Sequence, residues 1–291
     1  MKIKKAVITA AGYGTRFFPL TKTIQKEMLP ILNRPIIDYI VNDCLMAGVE
    51  EIIFIVKEND TQLQHFYSES LQVKAYLERM GKIDRYHELE KLHQKAKFSF
   101  VTQKSSEAYG TSIPLKLVKE NVKDEDAFIM FMGDDYIYNS DGSSETVKMI
   151  KYFEDSGAQG LGTFIKRPKE LLHKYGVARV RDENNFQFLI DIIEKPNEGE
   201  APSDLVNISK YIFTPDIYDS LDAQIINPIQ KEWLITDTLT IFAKDHDVVV
   251  FPTLGEYLDG GYLEGWLKAN LLLASKDPQL LSSLKEYVNS L

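Results

Sequence analysis

The chain has 291 residues, 44% of them hydrophobic and 26% charged, a make-up ordinary for a soluble globular protein with room for a substantial core. Its formal net charge of −9 excludes an overall field that attracts nucleic acid or anionic lipid, so an anionic small substrate would need a local cluster of cations. A single cysteine, Cys44, excludes an intrachain disulfide. With no apolar leader and no apolar run near the roughly 20 residues of a membrane span, the sequence reads as cytoplasmic, with no membrane or nucleic-acid partner.

In chain order, the apolar run Ala6 to Ala11 reads as a buried strand ending in a glycine turn. Pro35 and Gly48 bracket a helix over 36–48, and Glu50 to Val56 is a second strand, so the chain opens as a βαβ unit with a parallel sheet. Residues 60–97 alternate charged and apolar positions at helical spacing and predict one or two solvent-facing helices. Strands are expected over 97–103 and 127–135, separated by a helix around 114–121. A helix over 145–155, a strand over 160–165 and a hairpin turning at DENN follow. SKYIFTP and VVVFPTL are later strands, and the last thirty residues read as helical. The layout is a single mixed-sheet domain, parallel at its start with antiparallel additions in the second half.

Ala10-Ala11-Gly12-Tyr13-Gly14-Thr15-Arg16 leaves the first strand as a loop suited to phosphate: two glycines let backbone N–H groups approach an anion, and Thr15 and Arg16 add a hydroxyl and a forked positive charge. The alternative is a plain tight turn. A dinucleotide fingerprint would need glycine where Phe17 stands, and the Gly-Lys-Ser/Thr of a Walker loop is absent. Lys26 follows closely, with Glu27 beside it either as its holder or as an ordinary surface partner.

Gly133-Asp134-Asp135 ends an apolar strand, where open α/β sheets bind ligands. A hard cation such as Mg²⁺ takes one or two carboxylates plus substrate phosphates, which favours a metal role over a simple Gly-Asp turn. Glu194-Lys195-Pro196 ends another strand, either as a salt-bridged terminus or as a sugar-hydroxyl acceptor beside a phosphate cation. Asp259 beside two glycines is a turn or a second metal ligand. The five histidines form no zinc-type pair, and no Gly-x-Ser-x-Gly elbow or Cys/His dyad is present.

The segment AVITAAGYGTRFFPLTKTIQKEMLPILNRPIIDYIVNDCLMAGVEEIIFI closely resembles the N-terminus of bacterial UTP–glucose-1-phosphate uridylyltransferases. Further matches follow in order at Thr102-Gln103, Gly133-Asp134, Tyr175-Gly176-Val177, Glu194-Lys195-Pro196, Ala201-Pro202-Ser203, Glu232, Thr236-Asp237 and Asp259-Gly260-Gly261. Departures fall at Ala108-Tyr109-Gly110-Thr111, at Gln230-Lys231-Glu232 and at Tyr262, on the expected base and sugar sides.

The resemblance implies an α/β, Rossmann-like nucleotidyltransferase domain with a mixed, mostly parallel central sheet flanked by helices. It would span 1–291 as one domain, with a nucleotide-binding part over about 1–140, a sugar-phosphate part over about 141–270, and C-terminal helices. It implies that UTP and glucose 1-phosphate react with Mg²⁺ to give UDP-glucose and pyrophosphate. Ala10, Ala11, Gly12, Gln103 and Gly110 would contact uracil and ribose. Gly14, Thr15, Arg16 and Lys26 would hold the triphosphate, and Asp134 and Asp259 the metal. Gly176, Glu194 and Lys195 would bind the sugar phosphate, with Arg16, Lys26 and Lys195 neutralising charge during transfer. A homo-oligomer is the family expectation.

Overall fold

β1 (Lys5–Ala10) runs into the glycine loop, and three short 3-10 turns lead to a small hairpin of β2 (Pro30–Ile31) and β3 (Arg34–Pro35). The computed structural model describes residues 2–106 and 108–290. α1 (Ile36–Met46) starts after Pro35 and is closed by Gly48 in the left-handed region, φ 81°. β4 (Glu51–Lys57) is followed by α2 (Gln62–Phe66), α3 (Leu71–Arg79), α4 (Asp84–His93) and β5 (Lys97–Gln103). α5 (Ile113–Leu117) and α6 (Lys119–Val122) precede β6 (Phe128–Met132) and β7 (Asp135–Tyr138). α7 (Glu145–Ser156) is capped by Ser144, whose hydroxyl accepts from Val147 N, and ends at Gly157. β8 (Gly160–Lys166) precedes the hairpin of β9 (Gly176–Glu183) and β10 (Phe186–Glu194), which turns at Asn184 and Asn185, both at positive φ as a two-residue hairpin requires. The chain closes with β11 (Leu205–Phe213), α8 (Ile217–Ala223), α9 (Ile235–Phe242), β12 (Val248–Pro252), β13 (Glu256–Asp259), α10 (Leu263–Ala274) and α11 (Pro278–Asn289).

Among the described residues, nine strands form one sheet in the order β5-β4-β1-β6-β11-β8-β12-β10-β9. β5, β4, β1 and β6 are parallel neighbours, as are β8 and β12. β11 runs against β6 and β8, and β10 against β12 and β9, so these two alone oppose the common strand direction. Strands β1, β4, β6 and β12 are buried on both faces, which is why they read as continuous apolar runs. Ile8, Phe54 and Phe131 pack under α1 and α7, whereas Val7, Ile53 and Met130 face α8 and α9. The carboxyl ends of β1, β4, β5 and β6 lie along one edge, where the glycine loop, Gln103 and Gly133-Asp134 emerge.

Two expectations are corrected. The strand foreseen over 127–135 stops at Met132: Gly133 N still donates to Thr9 O at 2.9 Å, the last bond to β1, and Asp135 begins a separate strand. Residues 60–97 form three short helices, and Leu63, Tyr67 and Tyr86 are buried, so the segment is not only solvent-facing. The stretch before Asp259 is a strand, β13, pairing antiparallel with β7 so that Asp259 lies opposite Asp135.

Below that ribbon sits a buried ion pair. β11 bulges between Asn207 and Tyr211, with Ser209 in the left-handed region. Lys210, 4% exposed, donates to Asp135 Oδ1 at 2.5 Å and to Asp135 O at 3.1 Å, and Tyr257 O–H donates to Asp135 Oδ2 at 3.1 Å. Burial still pushes the Asp135 carboxyl up to about 7, against the pull of Lys210. Lys210→Met should destabilise the protein by about 3–5 kcal/mol at pH 8, because the carboxylate is left uncompensated, and by less at pH 5, where Asp135 can protonate. Urea denaturation at the two pH values checks this; equal losses would contradict it.

Candidate active site

The glycine loop is fastened from beneath by its own downstream turns. Thr21 O–H donates to Gly14 O at 2.7 Å, and the buried Gln25 side chain donates to Ala10 O at 2.5 Å. Gly14 has φ 62°, and a Cβ there would meet Thr21 Cγ2 at 3.0 Å, so glycine is required on both counts. Lys26 runs along the underside of the loop: a Cβ at Gly12 would come within 3.4 Å of its Nζ. Arg16 and Thr15 are exposed at the loop's far end. The Arg16 charge reaches the interior nonetheless, opposing the Lys26 ammonium and favouring the ionised Asp259.

Lys26 Nζ donates to Asp134 Oδ2 at 2.6 Å and lies 3.6 Å from Glu27 Oε1. Burial alone would lower the lysine pKa, but Asp134 and Glu27 outweigh it and hold Lys26 above the ordinary lysine range. Burial would raise Asp134, yet the charge and hydrogen bond of Lys26 hold that carboxyl below its usual value. Glu27 is 1% exposed, and burial pushes it up to about 7 despite Lys26. It is therefore an interior carboxylate, not an ordinary surface partner.

Asp259 arrives from the other end of the chain through the β7–β13 ribbon. Gly260 N donates to Asp134 O, and Gly261 N to Asp259 Oδ1, each at 2.9 Å. A Cβ on Gly261 would lie 2.7 Å from Asp134 Oδ2 and 3.0 Å from Asp259 Oδ1, so both carboxylates point at one spot that only glycine leaves open. Among the described residues no lysine or arginine is within ion-pair distance of Asp259, and burial, reinforced by Asp134, raises its pKa. Among those residues no group of three or more His, Cys, Asp or Glu side chains could hold a metal alone. Two convergent carboxylates fit Mg²⁺, which binds through one or two such groups and completes its shell with phosphate and water.

Glu194 and Lys195 form a second cluster. Gly176 is paired with Glu194 across the hairpin, and a Cβ there would fall 2.9 Å from Glu194 Oε2. Thr236 O–H donates to the same carboxylate at 3.3 Å, and burial raises the Glu194 pKa. Lys195, in the left-handed region at φ 49°, donates to Gln230 Oε1 at 3.3 Å and is half-exposed. The buried Tyr211 phenol donates to Asn207 Oδ1 at 2.5 Å, and burial, reinforced by the charges of Asp135 and Glu194, raises its pKa. Burial, reinforced by the Asp259 charge, raises the Tyr262 phenol as well.

Gln103 and Gly110 form a third group, set apart from the carboxylates. Gln103 donates to Ala108 O at 3.4 Å. Gly110 packs against the backbone of Trp233, where a Cβ would lie 2.2 Å from the carbonyl oxygen. Trp233 N donates to Tyr109 O, and Ile235 N donates to Thr111 Oγ1, so this loop is tied to the start of α9 and through Thr236 to Glu194. The side chains that sequence reasoning missed are Lys210 and Tyr257; Asp135, read with Asp134 as a candidate metal carboxylate, is taken up instead by these two. The one visible signal was a lysine set in the apolar run SKYIF.

A nucleotidyl transferase family model matches residues 5–276. The UTP–glucose-1-phosphate uridylyltransferase of Staphylococcus epidermidis is 31% identical over 292 residues, covering 100% of this chain and 99% of its own. A putative enzyme of the same description from Methanocaldococcus jannaschii is 32% identical, covering 99% and 100%. Among solved structures, a UDP-glucose pyrophosphorylase complexed with UDP-glucose is similar at TM-score 0.82 and 30% identity, covering 94% of this chain and 100% of that one. A UTP-bound UGPase from Acinetobacter baumannii is similar at TM-score 0.86 and 26% identity, covering 99% of both.

The raised Glu27 pKa has a consequence for stability. The folded protein retains a proton that the unfolded chain releases near 4.5, so the contribution of this group is full below that value and is lost as pH rises through about 7. Replacing Glu27 by Gln should therefore improve stability relative to wild type by on the order of 1–3 kcal/mol between pH 5 and pH 8. A difference that stays constant across this range in chemical denaturation would contradict the assignment.

Proposed function

The chain belongs to the nucleotidyl transferase family, and from that membership we propose that it joins UTP and glucose 1-phosphate into UDP-glucose and pyrophosphate. The observation that carries the reading is the convergence of Asp134, Asp259 and Lys26 beneath the glycine loop, beside the Glu194–Lys195 cluster.

A phosphate oxygen of the sugar phosphate attacks the α-phosphorus of UTP in line, a new P–O bond forms, and the bond to the β-phosphate oxygen breaks as pyrophosphate leaves. The attacking group is already an anion near neutral pH, so no protein nucleophile is needed. Catalysis rests on alignment and charge neutralisation. Uracil and ribose lie against Ala10, Ala11, Gly12, Gln103 and Gly110, the last allowing close backbone approach. The amides of Gly14 and Thr15, with Arg16 and Lys26, take the triphosphate. Gly176 and Glu194 receive the sugar hydroxyls, and Lys195 its phosphate. Mg²⁺, held by Asp134 and Asp259, would supply Lewis-acid neutralisation of the phosphate charge.

The cellular setting follows the same reading: a cytoplasmic homo-oligomer. Leu263, Leu267 and Leu271 form an exposed stripe on α10, a face suited to a second copy. No described helix is long and apolar enough to cross a membrane.

Two variants test the division of labour. Asp134→Asn should lower UDP-glucose formation by at least roughly a hundredfold in folded protein. It is preferred to alanine because Asp134 is paired with Lys26. Lys195→Ala should raise KM for glucose 1-phosphate roughly tenfold or more while leaving KM for UTP within about twofold. Near-normal Asp134→Asn activity, or a Lys195→Ala defect confined to UTP, would overturn these roles.

A further inference from the structure

The oxygen that Lys26 holds is the one a metal ion would need. Asp134 Oδ2 accepts from Lys26 Nζ at 2.6 Å, and the same oxygen faces the open spot over Gly261 beside Asp259 Oδ1. An ammonium on that oxygen opposes a divalent cation by direct repulsion and by occupying a coordination position. That repulsion favours an arrangement in which Lys26 shifts off Asp134 when the cation enters, and a second acceptor is already within reach. Glu27 Oε1 is 3.6 Å from the ammonium, and Glu27 Oε2 is buried with no hydrogen-bond partner among the described residues. Glu27 is 1% exposed and lies directly beneath Gly133, where a Cβ would fall 2.9 Å from its Cγ. A buried carboxylate oxygen left without a donor is costly unless some state of the protein supplies one.

We propose that Lys26 is a placeholder cation on Asp134 and that Glu27 is the positioning residue that receives it when a divalent ion takes Asp134 and Asp259. The idea rests on the metal assignment above and adds an exchange between two fixed carboxylates. It makes the Lys26–Glu27 contact part of metal affinity, independent of turnover.

The test is a double-mutant cycle on Mn²⁺ affinity, read by electron paramagnetic resonance at pH 8 without nucleotide, with thermal melts to confirm folding. Lys26→Ala should tighten Mn²⁺ binding roughly five- to tenfold, since the competitor is gone. Glu27→Gln should weaken it by a similar factor in the wild-type background and by less than about twofold in the Lys26→Ala background. Equal losses in both backgrounds would mean that Glu27 acts only through space and would overturn the proposal. No Mn²⁺ binding to Lys26→Ala would overturn it as well. Asp259→Asn keeps the two ideas apart: undiminished Mn²⁺ binding there removes the metal assignment itself. Should Glu27→Gln not fold, a crystal structure of wild-type protein soaked in MnCl₂ decides. Lys26 on Glu27 supports the exchange, and Lys26 still on Asp134 beside bound metal contradicts it.

Discussion

The contact between Lys26 and Asp134 joins the two halves of the site, and much of the local architecture exists to hold it. One partner comes from the turn after the glycine loop and the other from the end of β6, 108 residues later. Both are largely withdrawn from water, where an isolated charge of either sign would be expensive. The pair lets acidic and basic groups stand close to a surface where phosphates can arrive. Gly12, Gly14, Gly133 and Gly261 surround it because a side chain at any of them would push into the pair, its loop or its neighbours.

The balance of charge explains what the site can accept. Asp134, Asp135, Asp259 and Glu27 lie near one another, answered by Lys26 and Lys210, with Arg16 at the rim. Burial, reinforced by the neighbouring carboxylates, pushes Glu27 and Asp135 up to about 7 and raises Asp259 as well. An additional cation relieves this, and a cation with a polyphosphate relieves it while supplying the remaining ligands. The whole-chain charge of −9 is no obstacle, because attraction of an anion here is a short-range matter of a few fixed groups.

Legibility in the sequence followed the range of the interactions. The buried strand before the glycine loop, the helix between Pro35 and Gly48 and the hairpin at Asn184-Asn185 could be read because each signal is local. Asp134 could be placed at a strand end, since the apolar run stops there. What brings Asp259 beside it could not be read, because β7 and β13 are four-residue strands with no pattern of their own and pair across more than a hundred residues. The Lys210–Asp135 pair escaped for the same reason, as did the tie from Thr111 to α9, where a side chain on the Gly110 loop holds a backbone N–H near the Glu194 cluster. In 60–97 the charge pattern suggested helices correctly, but not their number or the burial of Tyr67 and Tyr86.

The central claim is that this geometry performs uridylyl transfer to a sugar phosphate, and a crossed panel addresses it most directly. Pyrophosphate release would be followed with Mg²⁺ and purified protein, setting UTP, dTTP, GTP, CTP and ATP each against several sugar 1-phosphates. The account expects strong turnover with UTP and glucose 1-phosphate and little with the other pairs. Folded protein that binds nucleotide but releases no pyrophosphate with any pair would contradict it.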